Sequence, residues 1–196
     1  MRHLGMIALT AAALASCGQV ASPEASASTL LAASVSAEDC NGTLGAVTVE
    51  FVRVPQGATC TLQGTRVQGN VLVERDATLL ATGVQVIGNV QAENARRVDV
   101  LRGSRVGGSV QVKQGGRASV SGSFVNGDLQ YDQMRGPLAA NNNTIGGSLQ
   151  AFQNTGGLTI RTNRIDGNLQ CKENTPAPVG GGNIVQGNKE DQCAAL

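Results

Sequence analysis

Aromatic side chains are almost missing from this chain: its 196 residues include three Phe, one Tyr and no Trp. Chains of this length ordinarily build a wide core on aromatics and leucine. Here narrow layers of Val, Ile, Leu and Ala must serve, with 26 Gly for tight corners. Histidine occurs once, as His3, so the rest of the chain lacks the commonest general base and metal ligand. Neither sign of charge dominates: 15 Lys and Arg stand against 14 Asp and Glu. That balance predicts no footprint for nucleic acid or an anionic membrane. The opening apolar run, residues 4–15, is too short to span a bilayer as a helix.

That opening reads as an export signal. Arg2 and His3 precede the apolar run, and Leu14-Ala15-Ser16-Cys17 closes it. The tetrapeptide resembles the bacterial lipoprotein signal, in which small residues fit the peptidase and the cysteine thiol takes diacylglycerol. Residues 1–16 are then the signal peptide, and Cys17 is a lipidated N-terminus held in a membrane by several acyl chains. The alternative is an ordinary secretory signal cleaved near Val35-Ser36-Ala37, giving a secreted protein. The end of the apolar run at Cys17 favours the anchor. Residues 17–37, rich in Ala and Ser, read as a flexible tether, within which Thr29 to Ala33 could dock locally. The expected location is the periplasm or the cell surface.

Residues 38–196 are one repeat domain. Val67-Gln68-Gly69-Asn70-Val71 recurs as Val86-Ile87-Gly88-Asn89-Val90 and Val106-Gly107-Gly108-Ser109-Val110. It continues as Val125-Asn126-Gly127-Asp128-Leu129, Ile145-Gly146-Gly147-Ser148-Leu149, Ile165-Asp166-Gly167-Asn168-Leu169 and Val185-Gln186-Gly187-Asn188-Lys189. The marked glycines stand 19 or 20 residues apart, as 69, 88, 108, 127, 147, 167 and 187 show. A fixed period of this size is the mark of a stacked solenoid. Gly45-Ala46-Val47 reads as a degenerate earlier copy. After each glycine, polar and apolar residues alternate, which is the period of a half-buried strand. A second alternation lies mid-coil, with an inward column of Leu62, Ala81, Val100, Val120, Ala140 and Ile160. A third column, from Val67 through Val125 to Val185, precedes the glycines. The predicted fold is an all-β, single-stranded parallel β-helix: three short strands per coil of about 20 residues, in about seven or eight coils.

The G-[NSD]-[VL]-Q phrase, together with the tail from Gly167 to Cys193, resembles an uncharacterised family of exported bacterial β-helix proteins; the resemblance spans Cys40 to Cys193 and implies no activity. The coil is also similar to that of bactofilins, polymer-forming cytoskeletal β-helices. Those lack an export signal and cysteine staples, so polymerisation is not carried over.

Four cysteines remain after Cys17. Cys40 and Cys60 lie 20 apart and Cys171 and Cys193 lie 22 apart, each about one coil. Positions one coil apart are stacked within disulfide reach, so the pairs Cys40–Cys60 and Cys171–Cys193 are expected. Crossed pairings would require the two ends of the rod to meet. The disulfides imply an oxidising compartment. A metal site is the competing reading, but without histidine or C-x-x-C knuckles none is expected, nor any cofactor.

Candidate binding residues fall on outward columns. One reads Leu72, Gln91, Gln111, Gln130, Gln150 and Gln170; another reads Asn70, Asn89, Ser109, Asp128, Ser148, Asn168 and Asn188. Stacked amides can simply bond to one another, or they can present a polar surface to glycan or peptidoglycan, here without the usual aromatic platforms. Glu74 and Glu93 are predicted neighbours, an acid/base or cation pair unless surface charge pairing absorbs them. Arg66, Arg105 and Arg164 form a sparse column. With no free thiol, no histidine and no long loop to build a cleft, an enzyme is not expected. A polysaccharide-active enzyme is the least favoured reading. The expected role is a non-catalytic lipoprotein module, with an envelope glycan or a surface protein as partner.

Overall fold

The structure, a computed structural model, describes residues 38–196. The signal, the lipidation site at Cys17 and the tether fall in residues 1–37, outside the described residues. The described chain is a parallel β-solenoid of about eight coils, built on three parallel sheets of nine, eight and eight strands.

One interior coil shows how the sequence closes. Val110–Lys113 runs along the nine-stranded sheet, here the glutamine face. Gln114 then turns the chain in the left-handed conformation, with φ of 55°. Arg117–Ser121 crosses the broad face, and Gly122 turns again with φ of 62°. Phe124–Val125 forms the narrow face, and Asn126-Gly127-Asp128 returns the chain to Leu129–Asp132, one coil on. Each strand pairs in register with its counterpart, as in Val90↔Val110↔Leu129 and Val106↔Val125.

The inward positions of the three faces meet in one continuous apolar column, as the alternation predicts. Complete burial of a Val, Leu or Ile is worth roughly 1.5–3 kcal/mol each. The only tyrosine, Tyr131, lies fully inside, and small residues make room for it: Ala118, Ala140 and Ala151 occupy the surrounding levels. Its hydroxyl donates to the Ala139 carbonyl at 2.8 Å.

The marked glycines have a steric cause. At Gly147 an added Cβ would run into the Asp128 side chain and the Gly127 backbone of the preceding coil. That side chain is there because the residue after each glycine caps a backbone donor that the corner leaves over. The Ser148 N–H donates to Asp128 Oδ1 at 2.7 Å, and the Asn89 N–H donates to Asn70 Oδ1 at 2.8 Å. Glycine followed by Asn, Ser or Asp is therefore one device: a polar cap, and empty space for the cap below it.

A second polar device lies inside the rod, where the sequence pattern did not place it. Asn143, Asn163 and Asn183 point inward after the second corner and are buried. Asn163 Nδ2 donates to the Ala140 carbonyl at 2.7 Å and to Asn183 Oδ1 at 2.9 Å. Its Oδ1 accepts the Asn143 N–H and side-chain amide, both at 3.0 Å. Asn154 and Asn174 repeat this arrangement at the first corner, ending on Gln192. Backbone groups turned out of the ladder by the corners are thus satisfied by side-chain amides.

Both expected disulfides are present, with Cα–Cα distances of 5.4 Å for Cys40–Cys60 and 5.3 Å for Cys171–Cys193. The cysteines are not stacked in register, however. Cys60 pairs across the sheet with Gly42, and Cys171 with Asp191. Cys40 and Cys193 are each displaced by two residues from those partners: Cys40 follows the strand Glu38–Asp39, its N–H bonded to the Arg53 carbonyl at 2.7 Å, and Cys193 lies in the turn after Lys189–Asp191, its N–H bonded to the Glu190 carbonyl at 3.1 Å. The first copy of the repeat also differs from expectation. Thr48-Val49 pairs with Arg66-Val67, and Val52 with Val71. The early copy is therefore Val49-Glu50-Phe51-Val52, one residue short and without glycine, rather than Gly45-Ala46-Val47.

Two measurements check this packing. Asn163→Ala should cost about 2–4 kcal/mol in chemical denaturation, because it orphans several buried groups, whereas Gln130→Ala on the outside should cost about 1 kcal/mol or less. Burial also pushes the Tyr131 hydroxyl well above its ordinary value. A raised acid favours the folded state while protonated, so stability should fall as pH rises above about 10. Tyrosinate absorbance should appear only with unfolding, and Tyr131→Phe should remove that part of the fall.

Candidate functional site

The glutamine column is a continuous hydrogen-bonded ladder with a direction. Gln91 Nε2 donates to Gln111 Oε1 and Gln111 to Gln130, both at 3.2 Å. Gln130 donates to Gln150, and Gln150 to Gln170, both at 2.9 Å. The chain of amides ends on a carboxylate, with Gln170 donating to Glu190 Oε2 at 2.8 Å. Asn168 also donates to Glu190, at 3.2 Å. A charged acceptor at the donating end strengthens the whole series. Each ladder glutamine keeps one N–H outside these bonds, and each from Gln111 to Gln170 one carbonyl lone pair; Gln91, at the head, keeps both.

A parallel ladder was missed from sequence. Gln114 donates to Gln133 at 2.8 Å, Gln133 to Gln153 at 3.0 Å, and Gln153 to Glu173 at 2.8 Å. All four are left-handed corner residues, with φ between 55° and 57°. Glycine would turn these corners with less strain, and the amide bonds help to offset its absence. Between the two ladders runs the register column Glu93, Lys113, Asp132, Phe152 and Lys172. Its signs alternate, and Phe152 is half-buried.

The Asn70, Asn89 and Asn168 oxygens are engaged as backbone caps, each accepting an N–H from one coil on. Glu74 turns to Arg53 at 3.1 Å and accepts the Gln56 N–H at 3.0 Å, so it serves a surface ion pair rather than a pair of acids with Glu93. Arg53 also bonds Asp39 at 2.6 Å. That contact holds the Asp39 carboxyl below its ordinary range and raises the Arg53 guanidinium. On the narrow face, Arg66, Gln85, Arg105, Phe124, Thr144 and Arg164 stack in register. The Arg105 guanidinium lies 5.8 Å from the centre of the Phe124 ring. Among the described residues, no three His, Cys, Asp or Glu side chains converge as metal ligands would.

Surface concavities are shallow. One open depression of about 410 Å³ lies at the corner between the glutamine and broad faces. Arg75, Asp76, Asn94, Gln114 and Arg135 line it over a floor of Gly115 and Gly116. The broad face also holds the two buried side-chain oxygens without a hydrogen-bond partner among the described residues, Asp99 Oδ1 and Asn141 Oδ1. The other Asp99 oxygen is bonded to Arg97, which raises that guanidinium.

Comparison with family models, curated proteins and solved structures found no match. The arrangement itself is suited to holding side chains at a fixed pitch, one per coil.

The carboxylate at the end of the ladder can be tested directly. Glu190→Leu removes the acceptor of both Gln170 and Asn168, and should cost about 1–3 kcal/mol in denaturant unfolding. Glu190→Gln, which keeps an acceptor, should recover most of that.

Proposed function

We propose that this protein is a non-catalytic cell-envelope lipoprotein, displaying a rigid β-solenoid on a flexible tether as a structural or interaction module. The observation that carries this reading is the pair of disulfides locking the first and last coils. Disulfides persist in oxidising compartments outside the cytoplasm, which agrees with the signal-like opening and Cys17. Between the two staples, the polar side chains of the glutamine face bind chiefly to one another. Such a body suits a part that holds its shape. Its partner would be an envelope glycan or a surface protein.

A second reading is supported by the ladder. Gln91, Gln111, Gln130, Gln150 and Gln170 leave spare amide donors and acceptors at coil spacing, about 4.8 Å. Phe152 stands one column away. This surface could dock a cell-wall or extracellular glycan, and replacing Gln111, Gln130 and Gln150 with Ala should then abolish its capture.

Intact mass of the protein from its native envelope tests the main proposal. Cleavage before Cys17, added acyl chains and a gain of four hydrogens on reducing the two disulfides are expected. Cleavage near Ala37 without lipid would make it a secreted solenoid instead. An unchanged mass on reduction would remove the staples. Reduction should lower stability by roughly 3 kcal/mol for each bridge opened.

A further inference from the structure

The near-neutral chain hides a one-sided distribution of charge. The broad strands and the corners leading into them carry Arg96, Arg97, Arg117, Arg135 and Arg161 between residues 95 and 161. The one acid in those segments is Asp99, which is buried and already bonded to Arg97. Arg96, Arg117, Arg135 and Arg161 are exposed, and none forms a salt bridge among the described residues. One further acid, Asp76, stands at this corner beside Arg75; most of the others lie on the glutamine face, in the glycine corners and in the end coils.

The arginines are also ordered. Arg96, Arg117 and Arg135 supply one guanidinium from each of three consecutive coils beside the same corner: Arg96 and Arg135 share one position, Arg117 lies one residue farther on, in register with Arg97, and Arg75 precedes the corner residue Asp76 of the coil before. Coils repeat at about 4.8 Å. Arg96 and Arg135 each stand two residues beyond the left-handed corner residue, Asn94 or Gln133. The intervening coil has Gly116 at that position, where a Cβ would strike the Arg96 carbonyl. The missing side chain leaves a notch between two cationic ones, part of the 410 Å³ depression that Arg75 and Arg135 bound. Ser119, Ser121 and Thr159 lie beside the arginines on the strands.

We propose that this corner and the broad face bind an extended acidic polysaccharide, with the arginines pairing to carboxylates or to sulfate or phosphate esters along the polymer and the hydroxyl side chains bonding its sugars. Guanidinium groups drawn from successive coils along one edge match an extended chain of anions better than a flat surface. Bases of single-stranded nucleic acid would want aromatic platforms, and Phe51, Phe124 and Phe152 all lie off this face. The site borders the ladder that begins at Gln114, which lines the depression, but it is separate from the Gln91–Gln170 column and needs no lipid at Cys17.

The test uses the full-length oxidised protein against dextran, dextran sulfate and alginate, with single-stranded DNA and anionic phospholipid vesicles alongside. Dextran should not bind. Alginate or dextran sulfate should bind with an affinity that falls steeply with salt, and whichever is tighter identifies the charged group as carboxylate or ester. The variant Arg96→Gln/Arg117→Gln/Arg135→Gln should weaken binding at least about tenfold and flatten the salt dependence. Arg66→Gln/Arg105→Gln/Arg164→Gln removes the same charge from the narrow face and should change binding less than about twofold. Single Arg117→Gln, expected to weaken binding by a few-fold, serves should the triple variant not fold. Equal loss from both triple variants, no binding to either acidic polymer, or tighter binding to DNA or vesicles would overturn the proposal.

Discussion

Strand residues of the interior coils rest on their counterparts from the coil before, at the spacing of one β-ladder. This self-stacking is the constraint from which the rest follows. Apolar groups tolerate it, so the core becomes columns of Val, Leu and Ile. Amides exploit it, because each carries both a donor and an acceptor and can bond to a copy of itself. Like charges resist it, and the register column Glu93, Lys113, Asp132, Phe152 and Lys172 accordingly changes character from coil to coil. Glycine is demanded wherever one coil's polar cap lies over the next coil's backbone.

Much of this was legible in the sequence because the period is fixed and the marked glycines give it a phase. The columns through Val67, Val125 and Ile165 and through Val100, Val120 and Ile160 follow from counting, and the strands pair them accordingly. The cysteine pairs follow from the same period, although their two-residue offset does not: each bridge joins residues on either side of a corner of an end coil. Asn143, Asn163 and Asn183 were passed over although they recur every twentieth residue. Alternation assigns polar residues to the outside, and only the corner turns these three inward, to carbonyl groups the sequence does not display. The Gln114, Gln133 and Gln153 ladder escaped for a related reason. Nothing in those residues announces a left-handed backbone, which glycine would have signalled.

Charge shows the same limit of counting. A sum over the chain is near zero, and the expectation of no footprint for nucleic acid or an anionic membrane rested on that sum. Winding the chain into three faces sorts the terms of the sum by direction in space. Arg96 and Asp132 are close to cancelling in composition, yet one lies at the edge of the broad face and the other on the glutamine face. For a solenoid, the relevant electrostatic quantity is the charge of each column.

The placement of the staples makes length an independent variable. Both disulfides belong to the end coils, and interior coils pair with their neighbours in one backbone register even where the side chains differ, as at Tyr131 and Ala151. Duplication or loss of a gene segment encoding one whole coil would leave each cap on a neighbour it already fits. The fold therefore behaves as a ruler graduated in steps of about 4.8 Å. Descendants of one ancestral chain could reach different distances from their point of attachment while conserving the same ends.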